Sequence, residues 1–556
     1  MAIDWKISRR RLFAGSAAAL AGSYLGFGRG TAGTSGRPTN VSLMSAARIG
    51  GVDGGALVSR QTVAPFSLPA RAHALARLPD LPEWQDEAFR QRHNWPDFGA
   101  ALRALHHPET PAALGPEAPA RRRLAYDELL ANQLALSLVR GHLKRAAGRS
   151  LAGDGAKRRA IAAALPYRLT SAQDAALAEI GADMAAPTRM LRLLQGDVGS
   201  GKTVVALLAL ATAIEAGTQG AFMVPTEILA RQHLAGLEPL CRAAGIALAL
   251  LTGREKGKAR EETLARLANG AVDLLIGTHA LFQDDVAFRD LGLVVIDEQH
   301  RFGVHQRLAL QAKAGATADL LVMTATPIPR SLALTVYGDM DVSKLTEKPP
   351  GRLPIDTRVM PISRLEDVIE GLGRTMAQGH RVYWVCPLVE DSALVDLAAA
   401  EDRFNALATH FPGRVGLVHG RMKGADRDRT MADFKAGTLS LLVATTVIEV
   451  GVDVPNSTVM AVEHSERFGL SQLHQLRGRV GRGAHQSYCF FFAAPRSGQV
   501  TEARLDVLEQ TEDGFEIAEA DLRIRGPGDF LGTRQAGTLP FRLADLVRDR
   551  EWLLKA

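Results

Sequence analysis

Residues Gly196–Thr203 read GDVGSGKT, two glycines separated by four residues and followed by Lys-Thr. A loop of this spacing, with Gly196, Asp197, Gly199, Ser200 and Gly201, wraps backbone N–H groups around phosphate oxygens. A helix opening at its end adds positive potential. Lys202 then reaches the β- and γ-phosphates and the Thr203 hydroxyl ligates Mg²⁺. The run LVVIDE ends in Asp297 and Glu298, two adjacent carboxylates that are costly at the end of a buried strand unless they bind a metal or take a proton. Asp297 is expected to hold Mg²⁺ in its outer shell, and Glu298 to orient and deprotonate the attacking water. Gln173, in YRLTSAQ just upstream, stands where it could read the adenine ring. QLHQLRGRVGRG brings Gln475 to the nucleotide and supplies Arg477, Arg479 and Arg482. That charge needs an anionic partner, and Arg479 and Arg482 read as arginine fingers on the γ-phosphate, worth roughly 10³–10⁵ in rate. The chemistry expected is ATP hydrolysis with ATP and Mg²⁺ as cofactors.

These residues need strand ends to hold them. After Pro166 the text alternates short apolar runs with helical segments. MLRLLQ, GAFMVP, VDLLIGT, LGLVVIDE and ADLLVMTAT read as strands of a parallel α/β sheet, buried on both faces. EKPPGRLPIDT, from Glu347, reads as a linker. RVYWVCPL, RVGLVHG, LSLLVATT, TVMAVEHS and SYCFFFA form a second set. Two such units leave a cleft, and chemistry collects at the carboxyl ends of their strands. With the fingers and the phosphate loop on opposite units, hydrolysis loosens the cleft and converts chemistry into motion.

The chain has 556 residues, enough for two to four domains, and a net charge of +6 that permits a polyanionic partner. Cys241, Cys386 and Cys489 lie far apart without metal-ligand spacing and read as buried reduced thiols. From about Leu78 the pattern is helical, with Leu129, Leu130, Leu134, Leu136 and Leu138 as an apolar stripe. The cluster Lys144, Arg145, Arg149, Lys157, Arg158 and Arg159 reads as a solvated helix face or as a contact to a nucleic-acid backbone. Residues 1 to about 70 look loosely ordered. Within them SRRRLFAGSAAALAGSYLGFG resembles a twin-arginine export signal, with Leu12-Phe13 reversing the usual order.

The ordered series GDVGSGKT, PTEILARQH, GTH, DEQH, TATPIPR, ATTVIEVGVDVPN and QLRGRVGR resembles the motif set of superfamily 2 helicases. DEQHRFGVHQR, TATPIPRSLALTVYGDMDVS and the late RGPGDFLGTRQ are similar to the RecG branch-migration DNA helicases, from about residue 75 to the end. The resemblance implies an α/β fold of two RecA-like parallel-sheet helicase domains. A helical linker region precedes them and a helical hairpin translocation element follows. The expected divisions are 1–77 (atypical, disordered or export-signal-like), 78–160 (helical remnant of a wedge domain and connecting helix), 161–350 (ATP-binding domain), 351–500 (second helicase domain) and 501–556 (translocation hairpin, shortened). It implies that His300 and the Thr324/Thr326 pair link ATP state to domain closure. Pro225, Thr226, Glu227, Gly277, Thr278 and His279, with Thr445 and Thr446 on the second domain, are expected along the nucleic-acid track. In DLRIRGPGDFLGTRQAG, Arg523, Arg525 and Arg534 would couple domain movement to a duplex-gripping loop, and Gln535 belongs to the family's translocation motif.

The expected activity is an ATP-dependent double-stranded DNA translocase acting as a monomer on forks and Holliday junctions in repair and recombination. Such a motor needs ATP and chromosomal DNA, so a cytoplasmic location without stable membrane association is expected over export. RecG-like proteins carry an OB-fold wedge that splits branched DNA. No alternating-strand run for it precedes residue 78 here, so weakened junction specificity is expected; DREWLLKA also stops short of the family's usual end. The other readings are an RNA helicase on the same core, a motor like the transcription-repair coupling translocase, and a truncated relic that binds ATP or DNA without productive unwinding. The late Gly/Arg segment argues against the RNA helicase, RGPGDFLGTRQ and RLAYDELLANQLAL favour RecG over the repair translocase, and the full set of catalytic positions argues against a dead ATPase.

Overall fold

The computed structural model describes residues 75, 77–144, 148–297, 318–325, 327–329, 340–349, 351–387, 395–445, 454, 456–483, 485–494, 499–525 and 541–556. The export-like run, Arg145, Glu298, His300, Thr326, Thr446, Arg534 and Gln535 lie outside the described residues, as do the side chains of Lys144 and Arg525.

Among the described residues thirteen strands form two sheets, and every strand pair in both is parallel. The first sheet contains β1 (Leu191–Gly196), β2 (Gln219–Met223), β3 (Leu248–Leu251), β4 (Leu274–Gly277), β5 (Leu291–Ile296), β6 (Asp319–Thr324) and β7 (Asp341–Leu345). Its order is β3-β4-β2-β5-β6-β1-β7. The second contains β8 (Ile355–Pro361), β9 (Arg381–Val385), β10 (Val415–Val418), β11 (Leu441–Ala444), β12 (Ser457–Val462) and β13 (Ser487–Ala493), in the order β10-β11-β9-β12-β13-β8.

Helices cover both faces because parallel strands need crossovers, and the central strands are apolar on both sides for that reason. Helix Lys202–Glu215 is buried on all sides from Val204 to Ile214. It belongs to a core with Ile161, Ile180, Phe222, Leu274 and Leu321. In the second sheet the two-residue period sends Tyr383 and Val385 into one core and Val382 and Trp384 into the other. Cys241, Cys386 and Cys489 are free and buried, and burial pushes the Cys241 thiol up to about 11 and Cys489 to about 12.

The chain divides into two compact units. The larger holds both sheets. In it the described members of the basic cluster are partly solvated, with Arg159 exposed, and each has a partner within the protein. Arg149 makes two bonds of 2.9 Å to Asp290, Arg158 Nε lies 3.3 Å from Glu215, Lys157 donates to the Ala244 and Gly245 carbonyls, and Arg159 donates to the Asp154 carbonyl. Most of these bonds fasten helix Ala156–Ala164 and its approach to the first sheet's helices and loops.

The smaller unit contains residues up to Val139 and the last residues of the chain. Trp95 packs against Phe89, Tyr126 and Trp552 with ring centroids 4.8–5.5 Å apart. Arg123 is fully buried against Glu83 and Asp127. Glu128 accepts the N–H groups of Arg542, Leu543 and Ala544. The leucine stripe of helix Pro119–Lys144 is only partly internal: Leu129 is buried, whereas Leu134 and Leu138 are exposed. The face that turns inward carries Arg121, Arg123, Leu124 and Tyr126 instead, since paired guanidinium groups can occupy core positions. Among the described residues no helix is long and apolar enough to cross a membrane.

Candidate nucleotide and DNA-coupling site

The loop Asp197–Gly201 joins the carboxyl end of β1 to helix Lys202–Glu215. Gly199 and Gly201 have φ of +78° and +87°, a region that disfavours side chains. A Cβ on Gly201 would stand 2.2 Å from Gln173 Nε2. That amide donates to the Ser200 carbonyl at 2.8 Å, and its Oε1 accepts the Thr170 N–H at 3.0 Å in a capping box. Gln173 is therefore a buried brace under the loop, with both ends of its amide engaged. Lys202 Nζ donates to the Gly196 and Asp197 carbonyls at 2.7 and 2.8 Å. Ser200 Oγ is buried without a partner among the described residues. An orphaned hydroxyl costs about 1–3 kcal/mol until something bonds it. This loop, at the N-terminus of a buried helix, fits a polyphosphate.

Asp197 is held by groups distant in sequence. Its carboxylate lies 3.0 Å from His474 Nε2 and accepts the Gly514 N–H at 3.3 Å. Burial alone raises this carboxyl, but the His474 and Gly514 bonds and Lys202 outweigh it and hold it below the usual range. Asp297 directly follows β5, is nearly buried, and has Oδ2 3.5 Å from His233 Nε2.

The second sheet contributes helix Leu470–Arg477 and the turn after it. Arg477 is 1% exposed and donates to the Leu508 carbonyl at 2.6 Å and toward His474 Nδ1 at 3.0 Å. Its burial in an internal network separates it from Arg479 and Arg482. Those two line a cleft of about 1420 Å³ together with Gly199, Gly201, Lys202, Thr203, Asp297 and Gln475. Seven Lys or Arg residues and three carboxylates line this cleft, a balance suited to a polyanion. Gly478 permits the close approach, because a Cβ there would meet Val198 at 2.7 Å.

Other expected residues distribute differently. Pro225 and Glu227 line the same cleft, where Arg254 bridges Glu227 at 2.7 Å and Asp428 at 2.9 Å. Thr226 caps helix Glu227–Ala243 by accepting the Leu229 N–H. Gly277 and Thr324 are buried at the ends of β4 and β6, and His279 is exposed. The Thr278 and Thr445 hydroxyls are buried with no partner among the described residues, beneath the turns that end β4 and β11. Arg523 is exposed on helix Gly514–Arg525. Sequence reasoning missed His233, Arg254, Arg352 and His474. His474 lies within QLHQLRGRVGRG, His233 ends PTEILARQH and Arg352 sits in EKPPGRLPIDT, whereas nothing marked Arg254.

Three family models match: DEAD/DEAH box helicase over residues 170–335, helicase conserved C-terminal domain over 362–484, and ATP-dependent DNA helicase RecG, domain 3, C-terminal, over 511–556. The chain is 48% identical to the ATP-dependent DNA helicase RecG of Bacillus subtilis (strain 168), over 86% of this chain and 70% of that protein. It is 49% identical to the RecG of Escherichia coli (strain K12), over 81% of this chain and 66% of that one. A solved RecG bound to a three-way DNA junction superposes with a TM-score of 0.67 at 42% identity, covering 85% of this chain and 62% of the solved one. The chain thus spans about two thirds of the length of these relatives. Identity near one half over more than four fifths of the chain shows the family, and the chain belongs to the RecG family of ATP-dependent DNA helicases.

Proposed function

We propose that the chain is an ATP-driven translocase on double-stranded DNA that remodels stalled forks and branch-migrates Holliday junctions. The observation that carries this reading is the shared cleft, where Lys202, Thr203 and Asp297 of the first sheet's domain face Arg479 and Arg482 of the second. Lys202 exchanges its loop carbonyls for β- and γ-phosphate oxygens, and the loop N–H groups and Ser200 hold the phosphates. Thr203 and Asp297 would hold Mg²⁺, which neutralises charge on the transferred phosphoryl group. Glu298 orients the water. Arg479 and Arg482 stabilise charge from across the cleft, so closure and hydrolysis are linked, and Gln475 contacts the nucleotide. Gln173 positions the loop and through it the adenine end. Along the strand ends Pro225, Thr226, Glu227, Gly277, Thr278 and His279 form one side of the nucleic-acid track and Thr445 and Thr446 the other. His300, Thr324 and Thr326 relay nucleotide state. Arg523, Arg525, Arg534 and Gln535 pass movement to duplex DNA. The protein works as a monomer in the cytoplasm, where both ATP and chromosomal DNA are present.

The solved relative's three-way junction supplies the test. The full chain should displace a labelled strand from a synthetic three-way junction in the presence of ATP and Mg²⁺, and Lys202→Ala should not. Equal displacement by wild type and Lys202→Ala, or none by wild type, refutes the reading.

A further inference from the structure

The carboxylate of Asp197 serves no obvious purpose toward phosphate, since negative charge in a phosphate loop opposes an anionic ligand. It points instead to His474 Nε2 at 3.0 Å and to the Gly514 N–H at 3.3 Å. Arg477 can only donate, and its nitrogen lies 3.0 Å from His474 Nδ1. Nδ1 is therefore the acceptor, and the ring proton sits on Nε2, facing Asp197. Arg477 continues to the Leu508 carbonyl at the end of helix Gln499–Gln510. The turn before helix Gly514–Arg525 is also fastened by Glu512, which accepts from Lys348 at 2.5 Å and from the Ile355 N–H. No side chain fits at Gly514, because a Cβ would lie 2.0 Å from Asp197 Oδ1 and 2.6 Å from His474 Nε2. The backbone of Asp197 meanwhile accepts from Lys202 Nζ at 2.8 Å. One residue thus meets the phosphate-seeking lysine through its carbonyl and helix Gly514–Arg525 through its side chain.

We infer that Asp197 and His474 form a positioning pair that ties the phosphate loop to helix Gly514–Arg525, so that loop movement on nucleotide binding is passed directly to the helix carrying Arg523 and Arg525. This rests on the reading of the chain as a DNA motor. A negative charge at Asp197 is useful because it anchors a neutral imidazole and a helix-terminal N–H together.

The test compares wild type, His474→Ala, His474→Gln and Gly514→Ala, all as the full chain with unfolding midpoints measured in parallel. Two quantities are read: ATP hydrolysis without DNA, and base pairs advanced per ATP in displacement of a triplex-forming strand from duplex DNA. DNA-free turnover and KM for ATP should stay within about twofold in all variants. Base pairs advanced per ATP should fall about tenfold in His474→Ala and Gly514→Ala, with substantial recovery in His474→Gln, which keeps a donor toward Asp197. Wild-type coupling in both His474→Ala and Gly514→Ala overturns the inference. So does a rise in KM for ATP that accounts for the whole loss, because the pair would then serve nucleotide binding. A wild-type chain whose hydrolysis ignores DNA fails the motor reading instead, whatever the variants do.

Discussion

Three arginines within six residues, Arg477, Arg479 and Arg482, have separable jobs. Arg477 is sealed in a network with His474 and the Leu508 carbonyl. Arg477→Ala leaves buried acceptors unpaired and should cost about 2–3 kcal/mol, read as a lower denaturation midpoint. Arg482→Ala should leave that midpoint nearly unchanged and cut DNA-stimulated turnover by about 10³. The spacing of these residues announced an anionic partner but could not say which arginine meets it. That depends on where helix Leu470–Arg477 ends and the turn beyond Gly478 begins. A carboxyl outside the nucleotide site predicts a pH effect. Burial pushes Asp319 up to about 7, against help from the Met190 N–H and Arg189, and its Oδ2 has no partner among the described residues. The folded state keeps this proton while the unfolded chain releases it near the ordinary carboxyl value. The stabilisation is complete below that value and is lost as pH rises to about 7. Asp319→Asn should flatten this loss, seen as an unfolding midpoint that declines less between pH 5 and 8 in the variant than in wild type.

Among the elements, the central strands were readable because burial on both faces forces continuous apolar text. Three strands were missed: β3, β7 and β8. All are edge strands; exposed positions in β7 and β8 admit Lys344 and Arg358, which break the apolar run, whereas β3 is apolar throughout but only four residues long. Most of β8 was hidden inside or just beyond what reads as a linker, since Pro354 immediately precedes it. The phosphate loop was legible down to its glycines, whereas the brace beneath it was not. Gln173 as a brace and Gln173 as an adenine reader predict different results. If it braces the loop through Ser200, Gln173→Ala should raise KM about equally for ATP and GTP, by roughly tenfold. Loss of ATP-over-GTP preference with little change in GTP affinity would favour adenine reading.

For the whole molecule, local patterns are silent about contacts far apart in sequence. Trp552, in the last described helix Arg550–Lys555, packs on Trp95 and Tyr126 more than 400 positions earlier. Trp552→Ala should therefore destabilise the smaller unit by about 3–5 kcal/mol, seen as an earlier unfolding transition. In the proposed mechanism neither sheet's domain holds a complete hydrolytic site, and residues of both line one cleft. The most direct test of that arrangement is ATP turnover by the full chain with and without branched duplex DNA, for wild type, Lys202→Ala and Arg482→Ala. DNA should raise wild-type turnover about tenfold or more, with both variants losing nearly all of it. DNA-independent hydrolysis by wild type, or undiminished turnover in either variant, would contradict the account.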